Sequence, residues 1–206
     1  MKKLIAIVSL ASFIYLFGCT SKSKESQSPE KKPAAETKKS KDAAVIMPQS
    51  APDTLKGSLV AEATGKVGET EITISYHSPA VRGRIVWEGL VPYDIVWVTG
   101  AHMATSIEFN HDLVIASKTI AAGKYAFFTI PGKNEWTIIL NKNWQQHLTD
   151  KYDSKDDVVR VNVKPEIEET HQERLRFVIE TETNSIGEIV MYWDKLEISL
   201  PIEVVN

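Results

Sequence analysis

A chain of 206 residues, 43% hydrophobic and 25% charged, is sized for one globular domain plus an extension. The formal charge of −3 is unevenly spread: residues 1–19 carry +2 and residues 20–47 carry +3, which leaves −8 for residues 48–206. An acidic body has no basic field to steer it onto nucleic acid, so that class of partner is set aside. The single cysteine, Cys19, excludes an intramolecular disulfide.

Lys2 and Lys3 precede an apolar run over residues 4–17 that stops at Gly18 and Cys19, the layout of a secretory signal. The run is shorter than the roughly 20 residues that cross a bilayer as a helix. The Leu16-Phe17-Gly18-Cys19 tetrapeptide resembles the lipobox of bacterial lipoproteins, in which the cysteine sulfur is acylated and the signal is cut just before it. Phe17 stands where a small residue is usual, and a plain secretory signal with an incidental cysteine, or a buried helix, is the alternative. The expected organisation is a signal peptide over residues 1–18, a lipidated Cys19 opening a disordered tether that ends at residue 55, and a body over residues 56–206. Two or more acyl chains hold a protein firmly where one binds reversibly, at about 0.8 kcal/mol per buried methylene. The first expected partner is therefore a membrane, met through the lipid anchor, and the expected place is the bacterial cell envelope. No early acidic run of the kind that resembles a surface-export signal follows Cys19, so a periplasmic face is expected.

Residues 20–55 are rich in Ser, Lys, Glu, Pro and Ala and poor in large apolar groups, so they bury too little surface to offset ordering entropy. Pro29, Pro33, Pro48 and Pro52 interrupt any helix there. Val45-Ile46-Met47 is the one apolar knot and is able to dock on the body.

From about residue 58 the pattern changes to short alternating runs of β-branched and aromatic residues punctuated by Gly, Pro, Asn and Asp, the signal of an all-β domain. Residues 58–65 and 70–77 read as a hairpin turning near Gly68, with Ile72, Ile74 and Tyr76 on one face and Thr73, Ser75 and His77 on the other. Strands are expected over 94–99, 104–110 and 112–117. A hairpin over 124–130 and 135–141 crosses Pro131-Gly132, a pair suited to a type II turn. Phe127-Phe128 and Ile138-Ile139-Leu140 are apolar on successive positions, which predicts a central strand pair buried on both faces. Trp144, Leu148 and Tyr152 recur at fourfold spacing behind Asn143, which predicts a short helix over 143–152. Strands over 158–164, 174–183, 188–193 and 196–204 complete the chain. The fold class expected is an antiparallel β-sandwich of about ten strands with one short helix; a jelly roll or small barrel is the competitor.

Tyr76, Pro79, Gly83-Arg84, Pro92-Tyr93, Trp97, Thr99-Gly100-Ala101, Ala104-Thr105, Ala122-Gly123, Tyr125, Ile130-Pro131-Gly132, Trp136 and Asn141 follow one another in an order that resembles the bacterial domain-of-unknown-function family 2911. The likeness runs from about residue 56 to 165 and more loosely to the end. It implies secreted or lipid-anchored proteins without an established activity and supplies no catalytic residue. The chain departs from the family's common run at Val98, His102 and Met103, which replace an arginine, an asparagine and a glutamate.

His77, His102 and His147 come from a strand end, a strand-joining loop and the expected helix. Imidazoles gathered from such places serve as metal or acid/base groups. Their spacing matches no local ligand motif, so a divalent metal such as zinc, with Asp94 or a nearby acid completing the set, stands as an alternative to the expectation of no cofactor. Arg82 and Arg84 beside Trp87 have the planar fork and aromatic face that grip a carboxylate, phosphate or sugar; the plainer reading is that they pair with Glu88 or Asp94. Trp87, Trp97, Trp136, Trp144 and Trp193 are either a sugar platform or core. The sequence holds no G-x-S-x-G, phosphate-binding glycine loop, H-E-x-x-H or paired C-x-x-C. The expected function is a non-enzymatic module that binds a small molecule, glycan or protein through Arg82, Arg84, Trp87 and His102. The alternative is a metal-dependent enzyme built on the three histidines.

Overall fold

The computed structural model describes residues 43–205; the segment expected to be a signal peptide, Cys19 and the expected tether as far as residue 42 lie outside the described residues. Ten strands follow in chain order: β1 (Leu59–Val67), β2 (Thr70–Ser78), β3 (Ser106–Phe109), β4 (Leu113–Ile115), β5 (Lys118–Ile120), β6 (Gly123–Ile130), β7 (Trp136–Asn141), β8 (Asp157–Val163), β9 (Glu166–Thr181) and β10 (Ile186–Val204). They form a six-stranded sheet in the order β1-β2-β3-β6-β7-β8 and a four-stranded sheet in the order β5-β4-β10-β9. Neighbouring strands are antiparallel throughout both sheets. The all-β, two-sheet body expected from alternation is the one observed.

The core lies between the sheets. Ile72, Ile74, Ile107, Phe127, Ile138 and Leu140 enter it from the large sheet, and Leu113, Leu175, Phe177, Met191 and Trp193 from the small one. Each such side chain contributes about 1.5–3 kcal/mol on leaving water. Where β1 crosses β9, Gly65 is required by contact: a Cβ there would sit 2.6 Å from the Ile179 Cβ. The unit Ser40–Asn206 is compact and encloses its own core, which is what an independently folding domain needs.

Three expectations about elements are corrected. The helix over 143–152 does not form; the helical geometry among the described residues is one 3-10 turn at Ser154–Asp156, capped by the Asp153 side chain. The backbone of 143–152 is drawn instead to the preceding loop, with Ala104 N–H donating to Gln146 O at 3.0 Å and Leu148 N–H to His102 O at 2.7 Å. Leu148 adopts a positive φ of 47°, which no helix continues through. The strand expected over 94–99 reduces to a single bridge between Trp97 and Thr129. The strand expected over 112–117 reverses at Ala116 and Ser117, both at positive φ, and returns as β5. That is a two-residue hairpin turn made without the Asn-Gly pair that normally announces it.

β10 also reverses within its span. Asp194 has φ 57°, the register with β9 shifts on either side of it, and Val204 N–H donates to Ser185 O at 2.8 Å. The two arms are those expected over 188–193 and 196–204.

Residues 44–57, most of which composition assigns to the tether, are strapped to the body. Ala44 bridges Ala61 on the edge strand β1 in parallel sense, through two hydrogen bonds of 2.9 Å to Val60 and Glu62. Ile46 is buried there while Val45 and Met47 face solvent. Further along, Glu173 N–H donates to Gln49 O at 2.7 Å. The buried Arg174 guanidinium grips both carboxylate oxygens of Asp53 and donates to Leu55 O, Gly57 O and Ser78 O. The strap satisfies part of an edge that would otherwise be open to pairing.

Candidate functional site

The outer face of the six-stranded sheet is built in two halves. Over β6 and β7 it is apolar, presenting Ala126, Phe128 and Ile139, and it is covered by Val98, Ala104, Trp144 and Tyr152 from the loops spanning 92–105 and 142–153. This explains the successive apolar positions of both strands: one set feeds the inter-sheet core and the other sits under the loops. Over β1, β2 and β3 the same face is open, and the pairing of Val60 with His77 and of Glu62 with Ser75 places these four residues in two rows. Between the loop edge and the open half runs a groove of about 380 Å³, lined mainly by Val60, His77, Met103, Ala104, Lys124 and Trp144.

The loop edge is fixed by local polar contacts. Thr105 Oγ1 donates to Thr99 O at 2.9 Å, the Thr99 and Thr129 hydroxyls meet at 3.1 Å, and Trp97 Nε1 donates to Gly100 O at 3.2 Å. Gly100 lies so close to β2 that a Cβ would stand 2.9 Å from His77 O and 3.0 Å from Thr105 Oγ1. Thr99-Gly100-Ala101 and Ala104-Thr105 thus form the turn that leans on His77. Met103 and His147 make an isolated antiparallel bridge beside it. On the far side, the buried Asn141 amide donates to Asp153 O at 3.0 Å and Asp157 Oδ1 at 2.8 Å and accepts from Asn143 N–H at 2.8 Å, tying down the second loop. Tyr152 packs edge-on to Phe128 and donates its hydroxyl to Asp157; burial, then this carboxylate, pushes the phenol upward.

His77 and His102 are brought together, with ring centroids 5.2 Å apart and planes at 75°. His102 reaches this position with φ 61°. Burial first and the neighbouring His102 second hold His77 below the ordinary imidazole range, because neither a drier site nor a second cation favours the charged ring. His147 is not part of the pair: its Nδ1 faces Asp150 Oδ2 at 3.3 Å in a largely exposed position. Among the described residues no three His, Cys, Asp or Glu side chains gather as a metal-ligand set. Lys124 pairs with Glu108 at 3.5 Å and holds its ammonium 4.5 Å above the Trp144 ring, so the groove has a cation lying on an aromatic face at one wall.

Of the residues expected to bind ligand, His102 stands against His77, which lines the groove, and the other three are engaged elsewhere. Arg82 donates from its guanidinium to Leu55 O and Gly57 O, holding the strap, and its backbone N–H donates to Glu173 Oε1 at 2.9 Å. Arg84 donates to Val81 O and Ala80 O, closing its own loop. Trp87 meets Trp136 at 5.0 Å and Trp193 at 5.7 Å, both edge to face, and Trp97 stacks on Trp193. These four tryptophans are interior packing; the Nε1 atoms of Trp87, Trp136 and Trp193 are buried without a hydrogen-bond acceptor. Trp144 alone of the five lines the groove.

The polar cluster behind the strap has no counterpart among the expectations from sequence. His171 sits between Glu173 and Asp194, each at 3.1 Å, and Glu173 and Arg174 are buried. Nothing in the alternation of β9 distinguishes these side chains from ordinary outward polar residues until the strap is laid over them. The groove residues are equally hidden in the sequence, since Val60, Lys124 and Trp144 come from three distant places in the chain.

The family described as "Protein of unknown function (DUF2911)" matches residues 58–202. No curated protein and no solved structure matches the chain.

Proposed function

Since the chain belongs to the DUF2911 family, we propose that its body is a binding module, displayed from a membrane in the bacterial envelope by a lipid on Cys19, and that its ligand enters the groove between β1–β3 and Trp144. The observation that carries this reading is the groove itself: apolar walls from Val60, Met103 and Trp144 with His77 and Lys124 placed at a few points along them. That combination, a largely apolar concavity with sparse polar groups to orient the guest, is the usual build of a small-molecule site. Lys124 and the imidazoles suit a ligand that joins an apolar or ring-shaped body to an anionic or hydrogen-bonding head.

The body Ser40–Asn206 should bind anilinonaphthalene sulfonate, which has this chemistry, at one saturable site, with fluorescence rising to a plateau. Trp144→Ala should weaken that binding at least tenfold, whereas Arg84→Ala should leave it within twofold. An unsaturable response, or equal loss in both variants, would remove the groove as the site. The anchor is tested separately by mass spectrometry of the N-terminal peptide from membranes: a Cys19 carrying acyl chains supports it, and an unmodified Cys19 in a freely diffusing product rules it out.

A further inference from the structure

The groove reading asks of the imidazoles only that they meet a polar head, yet the pairing of His77, which lines the groove, with His102 has a more specific chemistry. His77 and His102 meet edge to face with ring centroids 5.2 Å apart, and Met103, next in the chain to His102, lines the same groove as His77 with 44% of its surface exposed. The backbone carrying these groups is held in place by the Met103–His147 bridge and by the close approach of Gly100 to His77. Two neutral imidazole nitrogens and a thioether sulfur are a soft donor set, the kind that selects Cu(I) over harder ions. Zinc, magnesium and calcium sites draw on thiolate, carboxylate or further imidazole ligands, and among the described residues no such trio gathers. The nearby Lys124 ammonium also disfavours a dication more than a monovalent ion.

The geometry points to His77, His102 and Met103 as a three-coordinate site for Cu(I), an inference that rests on reading the groove as the binding site of the module. Binding needs no electron transfer and no added co-reactant: the ion arrives as Cu(I) and is ligated by two imidazole nitrogens and one sulfur. Because Cys19 is the only cysteine, the body Ser40–Asn206 contains no thiol, and any Cu(I) it takes is held by other donors.

The test is an anaerobic competition in which the body is titrated into the Cu(I)–bicinchoninate complex. One equivalent of copper should be withdrawn per chain. His77→Ala and Met103→Leu should each weaken the site at least tenfold, and His147→Ala should stay within twofold. Met103→Leu conserves volume, so with an unchanged unfolding midpoint its loss reports the sulfur. Copper left wholly with bicinchoninate, an unchanged Met103→Leu variant, or a loss in His147→Ala as large as in His77→Ala would each overturn the site. If copper is refused while anilinonaphthalene sulfonate still saturates the groove, the Cu(I) assignment falls alone. If the dye is refused as well, the binding-module reading falls with it.

Discussion

Replacing Asp53 by Asn would break the clamp that holds the strap to the body. Arg174 is buried and its guanidinium meets the Asp53 carboxylate through Nε and, at 2.9 Å, through Nη2. That partner holds Asp53 at about 2 against an ordinary 3.8. A difference of that size corresponds to at most about 2.5 kcal/mol, and screening near the surface lowers it toward 1–2 kcal/mol. Removing the charge also leaves a buried guanidinium uncompensated, a loss that reaches about 3–5 kcal/mol when no other partner remains. Here Leu55 O, Gly57 O and Ser78 O still accept from it, so about 2–3 kcal/mol is expected for Asp53→Asn. For a body of this size that is a fall in Tm of roughly 5–10 °C.

The sign of the pH dependence follows from the direction of the shift. Because the folded carboxyl lies below its unfolded value, its contribution is complete above about pH 4 and is lost as pH falls through about 2. Urea unfolding of Ser40–Asn206 and its Asp53→Asn variant should therefore differ by a constant amount from pH 7 to pH 4. About half of the charge-dependent part should be gone by pH 3. The double variant Asp53→Asn/Arg174→Met should recover part of the loss. A difference below about 0.5 kcal/mol at pH 7, or one that stays undiminished at pH 3, would refute the clamp.

Gly100→Ala should displace the loop edge from β2, lowering stability by about 1–3 kcal/mol and abolishing the ring-current shifts that His77 and His102 impose on each other, as read by proton NMR. Asn141→Ala should cost about 2–3 kcal/mol, since it leaves Asp157, Asp153 O and Asn143 N–H short of a partner; hydrogen exchange should rise over 142–153 before any other segment. His77 should titrate below the ordinary 6.5 of a free imidazole. The unfolded chain then takes up the proton first, and acidification through that range should lower stability by an amount that vanishes in His77→Phe.

The strands are legible in the sequence because their apolar residues alternate or run together where burial demands it, and even the two-sided burial of β6 and β7 follows from Phe127-Phe128 and Ile138-Ile139-Leu140. What that pattern does not reveal is the cover. Trp144 and Tyr152 are spaced like a helix stripe, but they lie against Ala126, Phe128 and Ile139 as an irregular loop. The identity of the apolar residues is informative; their spacing misleads because the partner surface is a flat sheet and not a helix groove. β5 escapes notice because Ala116-Ser117 lacks the usual turn residues.

The strap is hidden for a different reason. Its composition is polar and proline-rich, and the interaction that orders it is with a guanidinium far away in the chain, at Arg174. Of the site, the positions of His77 at a strand end and His102 in a loop suggest a meeting, and the structure brings those two together. His147 would join them only from a helix that does not form, and Asp150 holds its ring. Arg82 and Arg84 stand out in the sequence but not in purpose: each closes backbone carbonyls, a role that only the folded loop discloses.

Amide chemical-shift mapping of isotope-labelled Ser40–Asn206 titrated with anilinonaphthalene sulfonate tests the groove most directly. Saturable shifts should centre on the residues that line it, among them Val60, His77, Met103, Lys124 and the Trp144 indole. Shifts centred on Arg82, Arg84 and Trp87, with the groove signals unmoved, would contradict a ligand site there.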